Sequence, residues 1–166
     1  MINLKDVKRL EISLAILLMF IPLILKLSEN LAFRDSISNY AYSTVSHVFV
    51  LLLTLSGSLF LYNGIFFKRH WYNSLLGISL FGVALTPHLE FKILHYLFAT
   101  IFFLGSIISI GLSSNIAFRG FKFLISGIVL FALSLHFAFN LFSLLIAEWI
   151  GIVPISTHFI VKSYNN

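Results

Sequence analysis

Three of the six histidines and one glutamate are the candidate site residues in the long apolar segments of this 166-residue chain. His47, His95 and His136 supply imidazole nitrogens, and Glu148 supplies a carboxylate. Three such ligands with one open position form the ligand set of catalytic zinc sites, in which the metal activates a bound water. The residue types therefore predict a site for zinc or a similar divalent ion, with Glu148 as a fourth ligand or a general base.

The same side chains also suit roles that need no metal. His47 has Ser43 one turn earlier, and His136 has Asn140 one turn later, so each histidine could hydrogen-bond within or between helices. The spacing contains no compact metal-binding motif of the HExxH type. Three interpretations stay open: a structural hydrogen-bond network, a metal site, and a proton-coupled or small-ligand site. Whether the protein is an enzyme also stays open.

The composition defines the surroundings of these residues. The chain is 59% hydrophobic and 10% charged, whereas soluble domains carry roughly 25% charged residues. At about 20 residues per crossing, this length holds roughly six membrane spans and little else. The absence of cysteine excludes disulfides and thiolate metal sites.

Polar residues divide the chain into six apolar segments. Strands are not predicted, because no alternation with a period of two is present. The sequence therefore predicts an all-α integral membrane bundle in one domain over residues 1–166, with the N-terminal segment retained as the first span. The turn before the sixth span is marked by Asn140 alone. The predicted spans are 10–27, 41–62, 73–88, 93–114, 121–140 and 141–161.

The basic residues predict the orientation of the bundle. Lys26, Arg34 and Lys92 would lie on one face, and eight basic residues would lie with the two termini on the other. By the positive-inside rule, both termini are expected to be cytoplasmic. The net charge of +5 then reflects topology, and no nucleic-acid partner is predicted. The eight are Lys5, Lys8, Arg9, Lys68, Arg69, Arg119, Lys122 and Lys162.

This orientation brings the ionisable residues to one depth. His47 would lie roughly 9 Å and Glu148 roughly 10 Å below the outer surface, at about 1.5 Å per helical residue. His95 and His136 lie near the outer ends of their spans. Because intramembrane ionisable groups face the bundle interior by default, we expect a polar site in the outer leaflet. In "TPHLEFKILHY", we expect His88 and Glu90 at its wet rim.

Several segments carry a resemblance to a known family. "ISNYAYSTVSHVFVLLLTLSGSLFLYNG", "GVALTPH", "HYLFATIFF" and "AEWIGIVPIS" resemble, over residues 34–164, the bacterial inner-membrane proteins grouped as domain of unknown function 998. This family usually has Arg-Asp where the present chain has Ser46 and His47. The resemblance implies a multi-pass protein of the bacterial cytoplasmic membrane and brings no established activity. The positions similar to the family's polar ones are Tyr40, His47, His95 and Glu148.

A more distant resemblance is to the CREST superfamily of membrane hydrolases. "STVSH" supplies Ser43 and His47 at that superfamily's Ser-x3-His spacing. Its final His-x3-His element and its metal-associated Asp have no counterpart here. The resemblance implies a metal-dependent hydrolase of lipid or amide bonds. In that hypothesis His47, His95 and His136 are the metal ligands, and Glu148 and Ser43 are the candidate catalytic residues.

A third function class is open besides an uncharacterised inner-membrane protein and a hydrolase, namely an accessory or sensing subunit. Small residues at 57–59 and 106–114 would let helices approach closely. They suit an accessory or sensing subunit that docks against other membrane subunits or against a second copy. Membrane lipid is the expected partner in every case.

Overall fold

The computed structural model describes residues 4–31, 33–66, 71–112 and 119–164. These residues form six α-helices and one short 3-10 helix, and no strand occurs among them, which confirms the all-α prediction. The 3-10 helix runs over Ile37–Tyr42. The α-helices are α1 Leu4–Ser28, α2 Ser46–Phe66, α3 Tyr72–Leu85, α4 Lys92–Leu112, α5 Arg119–Phe139 and α6 Leu144–Tyr164.

Five of these helices are long and apolar enough to cross a membrane, namely α1, α2, α4, α5 and α6. The sixth, α3, is apolar but has only 14 residues. The second span begins at Ser46 instead of the predicted residue 41, because the preceding residues form the 3-10 helix and a turn. Lys68, Arg69 and His70 lie outside the described residues, as do residues 113 and 114 of the predicted fourth span.

The turn predicted at Asn140 is present. Helix α5 ends at Phe139, and Asn140 adopts a left-handed backbone conformation with φ of 49°. Asparagine tolerates this conformation better than other residues with a side chain. The chain therefore reverses without a charged loop, and α6 begins at Leu144.

The helices pack in a ring. Helix α1 contacts α2 and α6, α2 packs closely on α3, and α3 packs on α4. Helix α5 packs mainly on α6, and its contact with α4 is the smallest between consecutive helices of the described chain. The ring is therefore tight everywhere except between α4 and α5.

A buried polar group joins the ends of three helices in the half of the bundle that carries the termini. Asn63 of α2 donates to the Glu11 carboxylate of α1 at 3.4 Å, and Asn73 of α3 donates to Asn63 Oδ1 at 2.6 Å. All three side chains are buried. This network holds α1, α2 and α3 together at the end of the bundle opposite the 3-10 helix. Its acid, Glu11, lies at the start of the predicted first span, 10–27.

Candidate functional site

The 3-10 helix covers one end of the ring. Ser36 caps it by accepting a hydrogen bond from the Asn39 amide at 3.1 Å, which is the usual role of a serine at a helix start. Ile37 and Tyr40 are buried, so this segment folds into the bundle although it belongs to a polar loop. Burial raises the pKa of the Tyr40 hydroxyl above its usual range. The helix ends at Ser43, whose hydroxyl donates to the Tyr40 carbonyl at 2.8 Å.

Two contacts hold the loop before this helix. Arg34 donates to both carboxylate oxygens of Glu29, and this hydrogen bonding lowers the pKa of Glu29. The amide of Leu145 donates to the carbonyl of Asp35 at 2.7 Å, which ties the loop to the first turn of α6. The loop is therefore anchored next to Glu148.

His95 connects three parts of the chain. Its ring is only 3% exposed and bonds through both nitrogens. Nδ1 lies 2.7 Å from the Thr86 carbonyl, and Nε2 lies 2.9 Å from the Ser38 hydroxyl. Because a carbonyl only accepts, Nδ1 carries the proton, and in the neutral ring Nε2 accepts from Ser38. His95 thus joins α4, the α3–α4 loop and the 3-10 helix.

Glu148 reaches the same helix from α6. Its side chain is 8% exposed, and Oε2 accepts a hydrogen bond from the Ile37 amide at 2.7 Å. Within the described part of the chain, this is its one hydrogen bond, and no cationic side chain pairs with it. A buried carboxylate in a span is costly unless it is paired. Glu148 therefore has unused capacity to accept a hydrogen bond or a positive charge.

His88 lies beside these residues on the α3–α4 loop. Its ring centroid is 5.2 Å from that of Tyr42 and 5.7 Å from that of His95. Its Nδ1 atom is buried and has no hydrogen-bond partner among the described residues. Glu90 is exposed. His95 is buried and Glu90 is exposed, as expected, whereas His88 is half-buried, so its place at a wet rim stays a prediction.

A cavity of about 290 Å³ opens where α4 and α5 separate. One end of the cavity has a polar lining, and its sides are apolar except for Thr100. Several of the side residues are exposed on the outer surface of the bundle, with Phe137 at 71% and Leu104 at 45%. The polar lining consists of Asp35, Ser36, Ser38, Asn39, His88, His95 and Glu148. The apolar sides consist of Tyr96, Ala99, Phe103, Leu104, Leu133, Phe137 and Leu144.

The expected zinc ligands are not brought together. His47 is exposed on α2, and His136 uses Nδ1 to bond the Phe142 carbonyl at 2.8 Å in the α5–α6 turn. Among the residues that the structure describes, no group of three or more His, Asp or Glu could hold a metal ion. The described side chains therefore do not form a metal site in this arrangement, and a metal role for His47, His95 and His136 stays a prediction.

Ser43 does not pair with His47. Its hydroxyl donates to the Tyr40 carbonyl and accepts from the Val45 amide at 3.2 Å, so it shapes the turn between the 3-10 helix and α2. It is not among the residues that line the cavity. The catalytic role that the distant resemblance implies for Ser43 therefore stays a prediction.

Five polar cavity residues were not identified from the sequence: Asp35, Ser36, Ser38, Asn39 and Thr100. The first four belong to "RDSISNY", where the apolar Ile37 and Tyr40 lie among polar residues. Apolar residues within a polar loop indicate that the loop folds back onto the protein. Ile37 and Tyr40 were therefore the signal available in the sequence. Thr100 lies in an apolar span and carried no such signal.

Fold and site together describe an all-helical protein that has, in its described residues, five helices long and apolar enough to cross a membrane and a half-polar cavity at one end of the bundle. Residues 20–163 match the profile of the family of unknown function DUF7103, and the chain belongs to this family. No curated protein and no solved structure matches. The resemblances to domain of unknown function 998 and to the CREST superfamily stay predictions.

Proposed function

We propose that this protein is a single-domain, six-span protein of the bacterial cytoplasmic membrane that binds a single-chain amphiphile in its cavity. The polar end of the ligand would contact Ser38 and Glu148, and its chain would leave between α4 and α5. In this topology α3 is a short sixth crossing, both termini are cytoplasmic, and the cavity lies in the outer leaflet.

The cavity's division into polar and apolar parts carries this proposal. A volume of about 290 Å³ is near the lower limit of small-molecule pockets. It has room for a polar group and a few carbons, so a longer chain must extend beyond it. The exposed side chains of Tyr96, Leu104 and Phe137 line the direction in which such a chain would leave. Lipid hydrocarbon surrounds that surface in a spanning bundle, which favours a ligand taken from the bilayer.

The geometry favours binding over hydrolysis. The cavity contains hydrogen-bonding groups but no assembled metal set among the described residues. Both ring nitrogens of His95 are occupied by bonds that hold the fold together. A ligand-binding or sensing role needs only the residues that are present.

Filling the cavity should abolish binding. We expect tetradecanol or tetradecylamine to raise the unfolding temperature of the wild-type protein in phosphatidylcholine nanodiscs. At a ligand concentration of 100 Kd, binding stabilises by about 2.7 kcal/mol. Ala99→Trp should remove this shift, because Ala99 lines the cavity and indole would occupy much of its volume.

Ala138→Trp is the matched control. Ala138 lies on α5, is exposed, and is not part of the cavity lining. This variant should keep the ligand-dependent shift. Absence of a shift for every single-chain amphiphile in the wild-type protein would refute the proposed function, as would equal shifts in both tryptophan variants and the wild type.

The orientation has its own test. The chain contains no cysteine, so Glu90→Cys and Trp71→Cys each introduce a single exposed thiol at opposite ends of α3. In intact cells, we expect an impermeant maleimide to label position 90 fully and position 71 only after lysis. The reverse pattern would invert the proposed topology.

A further inference from the structure

The charges around the cavity have one sign. Asp35 and Glu148 line its polar end, and neither lysine nor arginine occurs among its described lining residues. Arg34, the neighbour of Asp35, is engaged with Glu29. Glu148 is more than nine-tenths buried and keeps one carboxylate oxygen without a partner in the described chain. An anionic group in this cavity would face the repulsion of two carboxylates, and no lysine or arginine among the described lining residues would offset it.

The hydrogen-bonding capacity of the polar end is also one-sided. Ser38 uses its proton on His95 Nε2 in the neutral ring, so its oxygen lone pairs remain available. The free oxygen of Glu148 and the carboxylate of Asp35 can only accept when ionised. His88 Nδ1, which has no partner, can take either role in a neutral ring. Ser36 and Asn39 also line this end and can donate as well as accept, but both are neutral, so the charged hydrogen-bonding groups are acceptors and favour a cationic ligand rich in donors.

We infer, resting on the amphiphile-binding function proposed above, that the cavity selects a single-chain amphiphile whose polar end is a primary ammonium. An ammonium has three donors and no acceptor, which complements Glu148, Ser38 and Asp35. A hydroxyl has one donor, and a carboxylate has none. The ammonium would also supply the positive partner that the chain does not give Glu148.

Thr100 marks the path of the chain. Thr54, Thr86 and Thr157 each donate to the carbonyl four residues earlier, whereas Thr100 makes no such bond in the described structure. Its hydroxyl therefore remains available on the wall of the cavity. A hydroxyl or amide near the polar end of the ligand could bond to it, so Thr100 is the position where further specificity would arise.

The test compares three ligands with the same chain. Tetradecylamine, tetradecanol and tetradecanoate are titrated into phosphatidylcholine nanodiscs that hold the full-length protein, and affinity is taken from the unfolding shift at known bilayer mole fraction. We expect the amine to bind at least about tenfold more tightly than the alcohol, with the acid weakest. The net charge of +5 would attract the acid nonspecifically, so an amine preference opposes the overall field.

Variants assign the preference to the carboxylates. Glu148→Gln keeps the side-chain size and an acceptor for the Ile37 amide, and it should weaken amine binding about tenfold and alcohol binding by a smaller factor, so that the amine preference falls. Asp35→Asn, at an exposed position, should weaken amine binding about threefold. This variant tests the role of the carboxylates if Glu148→Gln does not fold. Glu90→Gln, outside the cavity, should change neither.

The outcomes separate this inference from the proposed function. Equal affinity for amine and alcohol, or tighter binding of the acid, overturns the ammonium inference and leaves amphiphile binding intact. Binding of none of the three overturns both. An amine preference that persists in Glu148→Gln and Asp35→Asn also overturns the inference, because the charge would then lie elsewhere.

Discussion

Replacing His95 with alanine is expected to lower the free energy of unfolding by about 3 kcal/mol. The change removes two hydrogen bonds at once and leaves the Thr86 carbonyl and the Ser38 hydroxyl without partners in a buried site. An unsatisfied buried polar group costs roughly 1–3 kcal/mol. Equilibrium unfolding in mixed micelles, followed by circular dichroism, measures the loss.

Two other histidines provide controls. His47→Ala should change stability by less than about 0.5 kcal/mol, because His47 is exposed. His88→Ala should cost less than His95→Ala, since His88 Nδ1 has no partner to lose among the described residues. A double-mutant cycle of His95→Ala with Ser38→Ala should give a coupling energy of at least about 0.5 kcal/mol. Equal, negligible effects at all three histidines would contradict the role of His95 in joining the 3-10 helix to the bundle.

The helices were largely predictable because hydropathy and charge mark their ends. The observed ends differ from the predicted spans by a few residues at most positions. The largest differences are the start of α1, at Leu4 instead of 10, and the start of α2, at Ser46 instead of 41. Residues 41–45 carry no charge, proline or glycine, and the sequence pattern alone cannot separate a short 3-10 helix and turn from the first turn of an α-helix.

The depth of the candidate residues along the bundle was more predictable than whether their side chains point into the bundle or out of it. Residue counting gives depth because each helical residue adds a fixed rise, and His95 and Glu148 do meet the same 3-10 helix. Direction depends on which face a helix turns inward. Helix α2 is apolar on every side, so its sequence does not mark an inner face, and His47 points outward.

The partners of the site came from a segment without periodicity. Ser38 and the Ile37 amide lie in the 3-10 helix, whose entry into the ring depends on tertiary contacts with α6 and on the Glu29–Arg34 ion pair. Backbone amides also leave no trace in the residue types. The sequence therefore indicates that the Glu148 carboxylate needs a partner. It does not indicate that the partner is the backbone amide of Ile37.

The α2–α3 contact should be the most sensitive packing site in the described bundle. A Cβ atom at Gly77 would lie 2.6 Å from the Gly57 carbonyl oxygen and 2.8 Å from the Leu61 amide nitrogen. These are backbone atoms, so relief requires the helices to separate. We expect Gly77→Ala to lower the free energy of unfolding by about 2–3 kcal/mol in the same micelle assay.

Gly127→Ala is the matched control, because nothing lies within 4 Å of a Cβ atom there. Both substitutions gain the same helix propensity of about 1 kcal/mol, so their difference reports packing alone. Gly82→Ala adds a contrast, since its Cβ would meet the Phe98 ring and not a backbone. Phe98→Ala should therefore recover part of the Gly82→Ala loss, whereas Leu61→Ala should recover none of the Gly77→Ala loss, because the obstructing backbone atoms remain. Equal stabilities for Gly77→Ala and Gly127→Ala would show that α2 and α3 do not approach through their glycines.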